Sequence, residues 1–127
     1  MTIKQLSVFL ENRPGTLDEA LKVLKDAGVN MKALSLADTS EFGIMRIITD
    51  DPDDAKKAMK AAGYTSIVND VISVELKHEV GYLAGIVEKL SKAGINIEYM
   101  YAAPSETSSA RMIIKTDDAE KAEKSLT

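Results

Sequence analysis

The feature that most constrains the fold of this chain is an internal repeat with an offset of 66 residues. Gly15 recurs as Gly81, and Ala-Gly-Val-Asn at 27–30 recurs as Ala-Gly-Ile-Asn at 93–96. The apolar residues between these matches share the offset and are spaced i, i+3, i+4, i+7: Leu17, Ala20, Leu21 and Leu24 in the first copy, Leu83, Ile86, Val87 and Leu90 in the second. This spacing predicts, in each copy, an amphipathic helix that buries one face and ends at an Ala-Gly pair. We infer a duplication.

Each copy contains the strands and helices of a small α+β unit. Before the helix, apolar and polar residues alternate in both copies, which is typical of a half-buried strand. In the first copy we predict strands over 3–10, 29–37, 42–49 and 64–68, helices over 14–27 and 52–62, a turn at 38–41 and a link at 69–70. In the second copy we predict strands over 71–77, 95–103 and 109–116, helices over 80–92 and 117–126, and a loop at 104–108. This order is the ferredoxin-like βαββαβ unit, an antiparallel sheet with both helices on one face.

The second copy has no room for a fourth strand between its last helix and Thr127. In the expected strand order 4-1-3-2, that strand would cover one edge of the strand at 71–77, so we expect this edge to have unpaired N–H and C=O groups. Either the edge pairs elsewhere, or a strand follows Thr127. We therefore expect two units, residues 1–70 and 71–127, with close pairing between them and a homodimer.

Composition and charge narrow the function classes. The sequence has no cysteine and one histidine, His78, which excludes thiol chemistry and disfavours a zinc site. A net charge of -4, alternating charges along the helices and 5% aromatic residues disfavour nucleic acid as a partner. There is neither an apolar run of about 18 residues nor a signal peptide, so we expect a cytoplasmic protein without a membrane partner, cofactor or metal.

Residues 11–17, Glu-Asn-Arg-Pro-Gly-Thr-Leu, and residues 27–31, Ala-Gly-Val-Asn-Met, resemble the ACT domain. This family of βαββαβ units binds amino acids and related small ligands and regulates metabolic enzymes. The resemblance covers essentially the whole chain, which is similar to a tandem ACT protein without a catalytic domain. It implies a regulatory protein that binds an amino acid and acts on a metabolic enzyme in trans.

The resemblance also implies candidate ligand residues. In serine-binding ACT domains of the phosphoglycerate dehydrogenase type, a polar loop residue and an Asn that opens strand two contact the ligand; the matching positions are Asn12 and Asn30. Leu10 replaces a polar contact of that relative, which favours an aliphatic, aromatic or thioether ligand over serine. The candidates are Asn12, Arg13, Pro14, Gly15, Thr16 and Asn30 in the first copy, and His78, Gly81 and Asn96 in the second. We expect the ligand where the first loop meets Asn30 and the neighbouring unit.

The chemistry of these residues suits a zwitterionic ligand, although alternatives stay open. Backbone N–H groups at a helix N-terminus can hold a carboxylate, and an Asn side chain offers both a donor and an acceptor. Alternatively, Asn12 caps the helix, Asn30 satisfies the turn after Gly28, and His78 is a surface residue. For the whole chain, the alternative is an oligomerisation or docking module with no ligand. No phosphate-binding loop or nucleophile motif indicates an enzyme.

Overall fold

The computed structural model describes residues 1–38, 42–106 and 110–127. Within these ranges the elements are β1 (Thr2–Glu11), α1 (Thr16–Asp26), β2 (Met31–Asp38), β3 (Phe42–Thr49), α2 (Pro52–Ala61), β4 (Ser66–Leu76), α3 (Tyr82–Lys92), β5 (Ile97–Ala103), β6 (Ala110–Thr116) and α4 (Ala119–Ser125). The predicted α+β fold with two duplicated units is confirmed. The predicted turn residues at 39–41, and the loop and strand residues at 107–109, lie outside the described residues. None of the helices in the described ranges has the length and apolarity that crossing a membrane requires.

The chain forms two compact units whose composition does not follow sequence order. The N-terminal unit consists of residues 4–69, and the C-terminal unit consists of residues 1–3 together with 70–127. β1 and β4 therefore each contribute residues to both units. The sequence-based boundary after residue 70 differs from this division chiefly because it placed residues 1–3 in the N-terminal unit.

In the N-terminal unit the strand order is β2-β3-β1-β4, which is the predicted 4-1-3-2 order. β3 pairs antiparallel with both β1 and β2, with Leu6 opposite Ile47 and Leu36 opposite Met45. The buried core lies between this sheet and the two helices: Leu6, Val8, Leu10, Ala20, Leu24, Met45, Ile47, Ala55 and Met59. Leu17 and Leu21 are only half-buried and pack against the margin of this core.

In the C-terminal unit β4, β6 and β5 form the sheet, and residues 1–3 lie beside the other edge of β4. Ser73 donates its backbone N–H to the carbonyl oxygen of Met1 at 2.8 Å. The edge that the sequence predicted to be open is thus covered at this point by the start of β1. The core of this unit is Ile72, Ile86, Leu90, Ile95, Ile114 and Ala122. Leu83 and Val87, which the helical pattern predicted to be buried, are half-exposed.

The predicted link at Asn69 and Asp70 is wrong. Both residues lie inside β4, which runs without a break for 11 residues from Ser66 to Leu76. The hydroxyl of Ser7 in β1 donates a hydrogen bond to Oδ1 of Asn69 at 2.9 Å. A side chain typical of turns therefore serves as a cross-strand partner, and pairing with the long strand β1 outweighs the local turn preference.

Candidate functional site

The loop between β1 and α1 carries four of the predicted site residues, and the first residue of α1 is a fifth. Asn12, Arg13, Pro14 and Gly15 are exposed, whereas Thr16, the first residue of α1, is only 3% exposed. Gly15 is the N-cap residue with φ 89°, a left-handed conformation that favours glycine. Gly15 itself makes no side-chain cap hydrogen bond. The first N–H groups of a helix have no intrahelical acceptor, and here the N–H of Thr16 donates to the carbonyl oxygen of Arg13 at 3.4 Å.

A cavity of about 390 Å³ lies within the N-terminal unit beside this helix start. Its walls come from the end of β1, the first turn of α1, the start of β3 and the turn between α2 and β4. The residues that line it include polar ones, Glu11, Arg13, Thr16, Glu19 and Tyr64, and apolar ones, Phe9, Leu10 and Phe42. We call it the loop cavity. The residues that line it are thus both polar and apolar, as in many small-ligand sites. Phe42 pairs with Glu11, so Phe9 and Phe42 are on the sheet face opposite Leu10, the core and the helices.

Glu19 contacts two other polar side chains of the loop cavity, Tyr64 and Arg13. The hydroxyl of Tyr64 donates a hydrogen bond to Oε2 of Glu19 at 3.3 Å. Arg13 places Nη2 at 4.0 Å from the same oxygen and Nε at 3.0 Å from Oε2 of Glu11. These carboxylates have no further metal-ligating companions, since no cluster of three His, Asp or Glu residues in the described part of the chain could hold an ion.

The environment of Tyr64 disfavours its ionised form. Burial raises the pKa of the Tyr64 hydroxyl, and the negative charge of Glu19 and the hydrogen bond that Glu19 accepts raise it further. Arg13 acts in the opposite direction and lowers this pKa, but its effect is smaller. The phenol therefore remains a neutral donor to Glu19 at ordinary pH.

Thr16 is one of the residues that line the loop cavity, and it carries an unsatisfied polar atom. Its Oγ1 is buried and has no hydrogen-bond partner among the described residues. A buried hydroxyl without a partner costs about 1–3 kcal/mol, because its hydration is lost and nothing replaces it.

The structure does not bring Asn30 to this loop within the unit. Asn30 is exposed and follows α1, whereas Gly15 precedes it. A helix of 11 residues is about 16 Å long, so the two parts of the predicted site lie at opposite ends of α1. The turn after α1 is closed by backbone hydrogen bonds from Gly28 to Lys25 and from Val29 to Leu24, so it does not need the Asn30 side chain.

Sequence reasoning missed two residues of the loop cavity, Glu19 and Tyr64. Glu19 looks like one more charge on the exposed face of an amphipathic helix. Tyr64 is 45 residues away and reaches Glu19 only because α2 and the turn at Gly63 return the chain to the start of α1. No local sequence motif predicts this contact between residues distant in the chain.

A sequence model of the ACT domain pair matches residues 1–127. The chain belongs to this family. No curated protein matches the sequence.

Solved structures with this ACT-pair fold include one relative of moderate identity and several distant ones. Protein BT0572 from Bacteroides thetaiotaomicron is 37% identical with a TM-score of 0.90, over 99% of this chain and 87% of that chain. The ligand-free regulatory subunit of aspartate kinase from Thermus thermophilus is 19% identical with a TM-score of 0.69, over 99% and 93%. The corresponding subunit from Thermus flavus is 18% identical with a TM-score of 0.67, again over 99% and 93%. At these lower identities the likeness shows the fold alone.

The C-terminal ACT unit repeats the backbone of the loop but not its chemistry. Gly81 is again a left-handed N-cap, with φ 81°, and His78 is exposed in the preceding loop. Tyr82 stands at the position of Thr16, and Gly85 stands at the position of Glu19. A cavity of about 360 Å³ in this unit is instead lined by residues 72–75 of β4, by Tyr82 and by Glu123 of α4, among others.

Asn96, the last predicted site residue, lies at the far end of α3 from Gly81. Its N–H group donates to Oδ1 of Asp117 at 3.1 Å, and its carbonyl oxygen accepts from the backbone N–H of Asp117 at 3.2 Å. These bonds join the entry of β5 to the segment between β6 and α4. The backbone of Asn96 is thus used structurally, and its exposed position leaves the side chain accessible to solvent.

Proposed function

We propose that this ACT pair is a regulatory protein that binds an amino acid and acts on a metabolic enzyme in trans. Family membership supports the proposal, as do the Thermus aspartate kinase regulatory subunits, which share the fold. The single observation that carries it is the loop cavity, which lies at the start of α1 and is lined by Arg13, Glu19 and Tyr64. No catalytic step is assigned to the chain.

The ligand residues that we propose begin with the loop, Asn12 to Thr16. The first N–H groups of α1 and the Arg13 guanidinium suit a carboxylate, because the helix dipole is positive at this end. Leu10 lines the loop cavity at the position where a serine-binding relative has a polar group, which favours an apolar ligand side chain. Asn30, His78, Gly81 and Asn96 remain predictions, to be tested one at a time by substitution with Ala.

The mechanism that we propose is a shift between docking states. A bound amino acid changes the affinity of the chain for its enzyme only as far as it binds the docked and free states differently. The loop and the first turn of α1 are the segments that ligand binding would order directly. We therefore expect the partner enzyme to contact a surface that includes this loop.

A homodimer is part of the proposal. β2 is an edge strand of the N-terminal unit, and on it Leu34 is 41% exposed and Leu36 is 47% exposed. An exposed edge strand with apolar side chains is a ready template for pairing with another chain. Light scattering at micromolar concentration tests this, and a strict monomer contradicts it.

The proposed function is tested by thermal unfolding of the full chain in the presence of each of the twenty amino acids. An amino acid at about 100 times its dissociation constant stabilises the folded protein by about 2.7 kcal/mol and raises the melting temperature by on the order of ten degrees. If none of the twenty at millimolar concentration raises the melting temperature by more than about one degree, the alternative of a docking module without a ligand replaces this proposal.

A further inference from the structure

The sheet of the N-terminal unit has one face toward its helices and one face away from them, which we call the back face. Residues of α1 and α2 form the core with Leu6, Val8 and Leu10 of β1, so the residues that alternate with these three lie on the back face. Near the start of β1 the back face is polar. Gln5 is completely buried there and donates from Nε2 to the hydroxyl of Ser7 at 3.2 Å.

Toward the end of β1 the back face becomes apolar. Phe9 lies opposite Ile44 of β3, and Phe42 is two residues from Ile44 in the same strand, so all three are on the back face. Ile67 of β4 joins them, because its neighbour Val68 packs against the core on the helix side. Phe42 is 54% exposed, Ile67 is 44% exposed and Phe9 is 39% exposed. We call Phe9, Phe42, Ile44 and Ile67 the sheet patch.

The composition of the sheet patch differs from that of a face in contact with water. An antiparallel sheet with one solvated face usually has polar side chains on that face. The sheet patch instead places apolar side chains on three neighbouring strands, β3, β1 and β4. The exposed parts of Phe9 and Phe42 together amount to about 200 Å², since a phenylalanine has about 150–250 Å² of surface to bury. A contiguous exposed apolar patch of this kind indicates an interaction surface.

The charge and shape of the sheet patch fit a second copy of this chain. Its four side chains are uncharged, and Glu11, which lies opposite Phe42, is paired with Arg13 at 3.0 Å. Two copies of the patch therefore meet without like-charge repulsion. A two-fold contact places the same apolar residues on both sides, and two sheet faces pack about 10 Å apart with their side chains interdigitated. A stable interface buries about 800 Å² per partner, so a contact centred on this patch is a weak one.

We propose that the sheet patch is a self-association surface through which the N-terminal units of two chains pack back face to back face. The contact is separate from the pairing of β2 in the proposed homodimer. Leu34 and Leu36 of β2 lie opposite Ile47 and Met45, which belong to the core on the helix side. We expect a dissociation constant on the order of 100 µM, so that association increases as the protein is concentrated.

Sedimentation velocity of the full chain between about 5 and 500 µM measures this association. The double variant Phe9→Thr/Phe42→Thr removes both rings but keeps residues that suit strands, and it should weaken the association at least about tenfold. Leu34→Thr/Leu36→Thr is the matched control. It makes the same kind of change on the helix side of β2 and should leave the association through the sheet patch unchanged.

Crosslinking locates the contact, because the sequence has no cysteine and a single introduced thiol reports one position. With Ile67→Cys, a short bis-maleimide reagent should join two chains at about 100 µM protein. Lys57→Cys, at an exposed position of α2, is the control and should give severalfold less crosslinked dimer. Adding Phe9→Thr/Phe42→Thr to Ile67→Cys should reduce the yield to that of the control. Leu36→Cys reports pairing at β2 separately.

Equal crosslinking of Ile67→Cys and Lys57→Cys would overturn the proposal, as would unchanged association of Phe9→Thr/Phe42→Thr or a chain that stays monomeric at every concentration. If circular dichroism shows that the double variant does not fold, Ile67→Arg takes its place with the same expectation. Crosslinking of Leu36→Cys but not of Ile67→Cys would support the homodimer through β2 and refute the sheet patch. Amino acid binding is unaffected by any of these outcomes, because the thermal screen measures it independently of assembly.

Discussion

Thr2 and Glu123 are joined by two hydrogen bonds although 121 residues separate them in sequence. The hydroxyl of Thr2 donates to Oε2 of Glu123 at 2.8 Å, and the backbone N–H of Thr2 donates to Oε1 at 3.1 Å. They tie the start of β1 to the last helix, α4, inside the C-terminal unit. The hydrogen bond from the Thr2 hydroxyl is the main reason that the pKa of Glu123 is lowered, against the opposing effect of burial.

We therefore predict that Glu123 contributes to acid sensitivity. A carboxyl whose pKa is lowered in the folded state stabilises it above the unfolded pKa, about 4.3 for Glu, and this stabilisation is lost as the pH falls through the folded value. In thermal melts between about pH 3 and 7, the melting temperature of wild type should fall more steeply below about pH 4.3 than that of Glu123→Gln. Glu120→Gln, on the same helix but paired with Lys124, should keep the wild-type slope.

Truncation of the helical core residues should separate fully buried from half-buried positions. Leu24 is completely buried, so Leu24→Ala should lower the free energy of unfolding by about 2–5 kcal/mol. Leu21→Ala, at a half-buried position of the same helix, should cost less than half as much. Urea denaturation measures both values, and equal losses would contradict the burial pattern of α1.

The hydrogen bond between Tyr64 and Glu19 should be visible in a spectrophotometric titration. The pKa of Tyr64 is raised, so its tyrosinate absorbance should develop above about pH 10, and the stability that it contributes is present below about pH 10 and lost as the pH rises further. The difference between wild type and Tyr64→Phe isolates this residue from the other tyrosines. Repeating the comparison with Glu19→Gln should move the transition to lower pH, and an unchanged transition would show that Glu19 does not contribute.

Two glycines with open space around them should respond in opposite directions to substitution with Ala. A Cβ atom added at Gly15 or at Gly85 would have no neighbouring side chain or strand within 4 Å, so neither substitution causes a steric clash. Gly15 has φ 89°, and Gly15→Ala should destabilise by about 1–2 kcal/mol through backbone strain. Gly85 lies inside α3, and Gly85→Ala should stabilise by up to about 1 kcal/mol. Chemical denaturation of the two variants tests the signs directly.

The sequence predicted most of the fold because its strongest signals are periodic. The i, i+3, i+4 spacing located α1 and α3, and the Ala-Gly pairs located their ends. What failed depends on partners distant in sequence. Asn69 looks like a turn residue until β1 lies beside it with Ser7, and the edge of β4 looks open until Met1 is placed against Ser73.

The candidate site likewise has some features that local sequence predicts and others that depend on residues distant in sequence. The helix start at Gly15 follows from local sequence, and the structure contains it. The pairing of Glu19 with Tyr64, and the distance of Asn30 from the loop, follow only from the way the chain returns on itself. Site residues that are inferred from a family motif are matched one position at a time. Such matching predicts neither the contact between Glu19 and Tyr64 nor the distance of Asn30 from the loop.

The sharing of β1 and β4 between units limits how the two repeats can be exchanged or separated. A fragment that begins at residue 71 would carry every residue of its own repeat and yet lack the segment that lies against Ser73. Grafting the second repeat from a relative would likewise set foreign residues against the native start of β1. To isolate the C-terminal unit intact, the codons for residues 1–3 would have to be moved, so that they are translated after those for α4 through a short linker. The modular unit of this protein is therefore the pair, even though its gene contains two copies of one pattern.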